Sequence, residues 1–256
     1  MEQRVASQPH NEAFLLHEES LRLKKRIESG IEAADENGRK TFSPEARMRM
    51  KDALDLAIEL HHDEESRDDG SPTVDHIFRV AGRVVNSFGV TDPDVIVAAL
   101  LHDSVEEQRG KLTAKWWNDR IEQKTAAFLY LESRFGARAA AIVWALTKPD
   151  KEDYANLKDR DRDYLAQLKK DIQNPCTFYV KLADFYDNVF SLKGAGSLER
   201  QKQRARKYQK VFSLFIARLQ KEDIVIPPSG EFRNGKKSII EKLRDAEGIA
   251  VGILLQ

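Results

Sequence analysis

A chain of 256 residues can form one large domain or two small ones around a substantial core. Its 42 Lys and Arg balance 42 Asp and Glu, so no global field draws it to nucleic acid or to an anionic membrane. A single cysteine, Cys176, rules out an internal disulfide. The polar N-terminus and the shortness of every apolar run complete the expectation of a cytoplasmic, helix-rich protein with no membrane partner.

Residues 1–44 read as an N-terminal helical extension and linker. Within them "FLLHEESLRLKKRI" carries Leu15, Leu16, Leu21 and Leu23, a spacing that predicts a helix docked on the rest of the chain. Ser43-Pro44 then supplies a cap and a first-turn proline for a helix over "ARMRMKDALDLAIELHH". The loop "DEESRDDGSP" follows, and "HIFRVAGRVVNSF" places Val80, Ala81, Val84, Val85 and Phe88 on one helical face. "TDPDVIVAALLHDSVEEQ", opened by Asp92-Pro93, predicts one continuous helix. Helical periods continue through "KWWNDRIEQKTAAFLYLESRFG", "ARAAAIVWALTK", the charged segment from Lys148, "TFYVKLADFYDNVFSLKG" and "LERQKQRARKYQKVFSLFIARLQKE". The segment 221–256 is a C-terminal extension whose Ile224–Ile226 and Ile249–Leu255 look β-like around one helix. No alternation of strands and helices occurs in the body, which is expected to be all-α.

The stretch "AALLHDSVEE" sets a histidine and three carboxylates in a run apolar enough for a core. On a continuous helix His102, Asp103, Glu106 and Glu107 would share one stripe. The carboxylates would repel there unless a cation sat among them; the alternative is a helix end with a solvated acidic face. "YVKLADFYDNVFSL" adds a polar stripe of Lys181, Asp184, Asn188 and Ser191 between apolar faces, and His76 opens its own helix. His76, His102, Asp103 and Asp184 form a mixed nitrogen and oxygen set suited to Mn²⁺, Fe²⁺ or Zn²⁺. Singly, His76 also reads as a helix-start cap and Asp184 as an ion-pair partner of Lys181.

The pattern His…His-Asp…Asp resembles that of HD-domain metal-dependent phosphohydrolases. The wording of "HHDEESRDDGSPTVDHIFRVA", "AALLHDSVEE", "FGARAAAIVWALTK" and "VKLADFYDNVFSL" resembles the hydrolase domain of RelA/SpoT-type proteins and the small alarmone hydrolases. The resemblance runs over residues 45 to 195. It implies an HD-type helical bundle over 45–220 and one metal, typically Mn²⁺, on His76, His102, Asp103 and Asp184. It also implies Glu106 and Glu107 as the carboxylates that orient or deprotonate the attacking water, and Arg67, Asn188 and Ser191 as substrate contacts, with Lys148 and Lys181 as further pocket cations. The implied reaction removes the 3′-pyrophosphate from ppGpp or pppGpp, giving GDP or GTP and pyrophosphate. The region after 195 is too short for a synthetase domain, so no alarmone synthesis is expected.

Departures bear on recognition. Glu107 stands in place of the family's Asp, Asp68 in place of a Lys, and Phe185, Asp187 and Phe190 in place of Arg, His and Arg. Two alternatives therefore stay open: the same fold acting as a nucleotidase or NADPH phosphatase, and a metal- and nucleotide-binding module without turnover. "GEFRNGKK" misses a phosphate-binding loop because Lys237 stands where a hydroxyl is needed, and reads as a turn before a short helix. "RQKQRARKYQK" reads as a solvated helix face rather than a nucleic-acid site, with Arg204 and Arg206 as the residues to test. Trp116-Trp117 and "FLYL" read as core or homo-oligomer contacts, and His10, His17 and His61 as surface or helix-flank residues.

Overall fold

The structure, a computed structural model, describes residues 16–34, 37–114, 121–150, 154–194, 196–229 and 231–256. The Trp116-Trp117 pair, His10 and Leu15 lie outside them. The described residues form α1 (Glu18–Ile31), α2 (Pro44–His61), α3 (Thr73–Gly82), α4 (Pro93–Leu100), α5 (Ser104–Glu107), α6 (Arg109–Thr113), α7 (Gln123–Phe135) and α8 (Ala137–Leu146). After these come α9 (Leu157–Asp171), α10 (Pro175–Phe190), α11 (Leu198–Leu219) and α12 (Lys236–Leu254). The body is an all-α bundle, and none of its helices is long and apolar enough to cross a membrane.

At the centre is α4. Every residue from Val95 to Leu101 is at most 1% exposed, because α2, α3, α8 and α10 surround it. A helix apolar on all sides has to sit in this position. Its start is fixed as expected, with the Asp92 side chain accepting from the Asp94 amide at 3.0 Å and Pro93 in the first turn. Ser43 caps α2 in the same way through the Ala46 amide. Ahead of them, α1 packs on α3 through Leu23, Ile27 and Ile31, four residues apart. Leu21, expected on that face, points outward and is 45% exposed.

Several other expectations change. The helix opened by Asp92 is not continuous: it ends at Leu100, and α5 begins only at Ser104. The tail holds no strand among its described residues. Ile249–Leu254 belongs to α12, whose buried Ile239, Leu243, Ala246, Ala250 and Ile253 keep a helical period against α11. Ile224 and Ile226 are buried, but the Val225 backbone pairs with a side chain: Tyr179 Oη donates to its carbonyl at 2.9 Å and accepts from its amide at 3.0 Å. The turn before α12 leads into a helix of 19 residues, not a short one. His61 and His17 fall at helix flanks as expected, His61 closing α2 and buried with its Nδ1 3.0 Å from Glu64, His17 exposed ahead of α1.

Phe185 explains how α11 is held. Its ring stacks on Phe215 at 4.7 Å and meets Phe212 edge-on at 5.1 Å. Such pairs add roughly 0.5–1.5 kcal/mol each beyond area burial. Phe185, where the resemblance leads one to expect a cation, therefore anchors α11 onto α10 and brings the basic end of α11 to the site.

Candidate metal centre and its pocket

Three helical segments meet at one point. His76 lies in the first turns of α3, Asp184 in the middle of α10, and His102-Asp103 in the turn between α4 and α5. Leu101 (φ −113°, ψ 12°) leaves the helical path, and Asp103 (φ −95°, ψ −4°) sits in the sparsely populated bridge region where many active-site residues are found. This break, rather than a continuous stripe, turns both adjacent side chains toward the centre.

His102 Nε2 is 3.2 Å from Asp103 Oδ2 and 4.0 Å from Asp184 Oδ1. His76 Nε2 is 3.7 Å and 3.3 Å from the same two oxygens. Candidate ligand atoms of His76, His102 and Asp103 lie within 4.8 Å of one another. Each imidazole is held by its other nitrogen: His102 Nδ1 meets the Ala99 carbonyl at 3.0 Å, and His76 Nδ1 meets Asp187 Oδ2 at 2.8 Å. Carbonyl and carboxylate oxygens accept only, so Nδ1 of each ring carries a proton and Nε2 is the atom left for a metal, which competes there with the second proton that the carboxylates favour. His102 Nε2 is buried with no hydrogen-bond partner among the described residues. A buried orphaned acceptor is costly; facing two carboxylates and a second imidazole, it fits a divalent cation.

Burial alone would raise the pKa of both aspartates. For Asp103, His102, Lys148 and His76 overcome this and hold the carboxyl well below the ordinary range. For Asp184, the hydrogen bond to His76 and the charges of both histidines do so. Burial opposes charge on His102, yet Asp103 and Asp184 lift its pKa above the ordinary value. Both carboxylates are thus anionic oxygen donors.

Around this point lies a pocket of about 490 Å³. Among the residues expected to act there, Arg67, Lys148, Lys181, Asn188 and Glu107 line it together with His76, Asp103 and Asp184. Arg67 Nη2 donates to Asn188 Oδ1 at 2.7 Å, and Asn188 in turn donates to Asp184. Lys181 is buried, and its ammonium donates to the Leu146 carbonyl at 2.6 Å. Burial and the neighbouring Lys148 lower its pKa. Two expectations part here. Glu106 is tied to Lys148, whose ammonium lies 3.0 and 3.1 Å from its oxygens, while Glu107 faces the pocket. Burial, then Glu106 and Asp103, push the Glu107 carboxyl up. Ser191 turns back to the Asn188 carbonyl at 3.1 Å and is not among the lining residues.

Two groups were missed from the sequence. Asp187 not only holds His76 but accepts from Arg79 Nε at 2.8 Å and Arg83 Nη1 at 2.8 Å, and these partners hold its carboxyl far below the ordinary range against the effect of burial. Its position three residues after Asp184, like that of Arg79 after His76, put it on the same helical face and was a readable signal. The second is the basic end of α11. Arg200, Arg204 and Lys207 line the pocket, which corrects the expectation of a solvated face; Arg206 alone of the tested pair points away, toward Glu199 at 3.6 Å.

A helical bundle with two imidazoles and two carboxylates at the floor of a cation-lined pocket is the architecture of a metal-site hydrolase. Residues 53–220 match the HD domain, well over half of the chain, and the chain belongs to the HD-domain family. It is 26% identical over 164 residues to the zebrafish (Danio rerio) guanosine-3′,5′-bis(diphosphate) 3′-pyrophosphohydrolase MESH1, covering 64% of this chain and 78% of that one. The human protein of that name is 29% identical over 145 residues, covering 56% and 69%. The Aquifex aeolicus guanosine-3′,5′-bis(diphosphate) 3′-pyrophosphohydrolase is 26% identical over 69% of this chain, which spans only 22% of its length. A solved structure described as a metazoan ortholog of SpoT that hydrolyzes ppGpp superposes with a TM-score of 0.55 at 21% identity, over 78% of this chain and 96% of that one, and so shares the fold.

Proposed function

We propose that this protein is a metal-dependent phosphohydrolase that removes the 3′-pyrophosphate of (p)ppGpp, with Mn²⁺ as the ion. The observation that carries the reading is the meeting of His76, His102, Asp103 and Asp184 around the orphaned Nε2 of His102, at the base of a pocket lined by cations. When bound, a divalent cation supplies a water of lowered pKa and offsets charge on the phosphoryl oxygens. The chain's own residues do the rest. Asp187 orients His76, and the Ala99 carbonyl orients His102. Glu107, open to the pocket and with its carboxyl pushed up by burial, accepts the proton of the attacking water. Glu106 holds Lys148 where a pyrophosphate oxygen would arrive, and Asn188 holds Arg67.

Metal-supplemented hydrolysis of a nucleotide panel, with products separated by anion exchange, tests this. Pyrophosphate released from ppGpp supports the reading. The charge inverted at Asp68 favours a second one, the same chemistry on another phosphorylated nucleotide; orthophosphate released from NADPH with ppGpp untouched would establish it. Neither product over hours would leave a binding module.

A further inference from the structure

The loop between α2 and α3 closes on itself. The Arg67 amide donates to the Ser71 carbonyl and the Gly70 amide to the Arg67 carbonyl, both at 2.8 Å. Asp69 accepts from the Ser71 amide at 3.0 Å and hydroxyl at 2.7 Å, and Gly70 adopts φ +81°. Asp68 is thereby held out toward α11, where Arg200 Nη2 lies 2.9 Å and Arg204 Nη2 2.7 Å from its two oxygens. Its side chain is only 15% exposed. All three residues line the pocket that holds the metal centre.

The shortest contact of each guanidinium with the carboxylate is made by a terminal nitrogen. A guanidinium has five donors in a planar fork that matches phosphate two bonds at a time, so a single carboxylate leaves most of this pair's capacity unused. A phosphate brings more acceptor oxygens and up to twice the charge. Lys207, one turn beyond Arg204 and 5.0 Å from the Tyr164 ring, adds a third cation on the same wall.

We infer that Arg200 and Arg204 form a second anion subsite of the pocket, built for a phosphate group remote from the scissile one, and that Asp68 occupies it in the free protein until that phosphate displaces it. The inference rests on the pocket taking a phosphorylated nucleotide. It narrows the substrate class to nucleotides phosphorylated at two positions of the ribose, since a singly phosphorylated one has nothing to exchange for Asp68. The internal carboxylate lowers apparent affinity by the fraction of time it holds the subsite, and removing it should tighten binding of the doubly charged class alone.

The test compares hydrolysis of guanosine 3′,5′-bis(diphosphate) with that of guanosine 3′-diphosphate bearing a free 5′-hydroxyl, using the metal-loaded full chain. For the wild type, KM is lower for the first nucleotide. In R200Q and R204Q that preference falls by about tenfold, while in D68N it grows by about threefold or more. An unchanged preference in both arginine variants, or a D68N preference that shrinks, overturns the inference. Melting temperature within a few degrees of the wild type confirms that each variant is folded; should D68N melt early, D68S replaces it. If the wild type turns over neither nucleotide, the functional reading fails and the subsite is decided by calorimetry with inorganic phosphate on the metal-free chain. There D68N binding more tightly than the wild type, and R204Q more weakly, supports it; equal binding overturns it.

Discussion

The metal centre and the α11 wall face one another across the same pocket, but they are built differently. The centre joins two buried imidazoles, each fixed through its Nδ1 by one hydrogen bond, to two aspartates that are only 21% exposed. The wall is made of half-exposed arginines fixed by a carboxylate from a distant loop. A buried, over-determined cluster tolerates no loss, because every removed partner leaves a charge or lone pair unsatisfied. An exposed ion-pair network can be exchanged for a ligand, because water and a phosphate both offer replacements. The first arrangement suits chemistry that is invariant, and the second suits recognition that has to let go.

The largest effect belongs to the floor of the pocket: His102→Ala and Asp103→Ala each lose bound metal, measured by elemental analysis after gel filtration, together with turnover. Metal retained at wild-type stoichiometry in either would remove that residue from the cluster. Next comes Glu107→Gln, for which kcat should fall by about 100-fold or more with metal content unchanged. Glu106→Gln should act mainly on KM through the freed Lys148, and a larger kcat loss there than at Glu107 would reverse the two roles. Asp187→Asn should weaken metal affinity by about 10- to 100-fold in a chelator competition.

The smallest effect lies on the wall. Burial, then Lys148, bring the Lys207 ammonium down to about 8, against Asp184, Asp161 and Glu106. Its charge is complete below that pH and lost above it, so KM for the polyanion should rise by about two- to fivefold between pH 7 and 9. Lys148, raised chiefly by Glu106 and Asp103 against the effect of burial, keeps its charge over that range, and Tyr164, raised by burial, stays neutral. Lys207→Arg should flatten the rise, and a rise of equal size in that variant would assign it elsewhere.

The same division governs what could be read in advance. His76, His102, Asp103 and Asp184 stood out because each interrupts an apolar helical pattern, a conflict visible within a dozen residues. The helix bounds from Ser43, Asp92 and their prolines were equally local. The pairing of Asp68 with Arg200 and Arg204 joins segments far apart in the chain, so from the sequence one looked like a lost cation and the others like a solvated face. Phe185 likewise looked like a subtraction until its ring was found against Phe212 and Phe215. The C-terminal "IAVGILL" run misled because a short apolar stretch fits either period, and only its contact with α11 settles it as helix.

In an unbroken α-helix successive residues point about 100° apart, so neighbours cannot converge on one object. His102 and Asp103 do converge, and they do so because the polypeptide abandons its spiral for three positions. The dipeptide acts as a pincer only while that kink persists, and a variant that let the screw run smoothly from Pro93 to Glu107 would keep every ligand in its sequence and lose its grip.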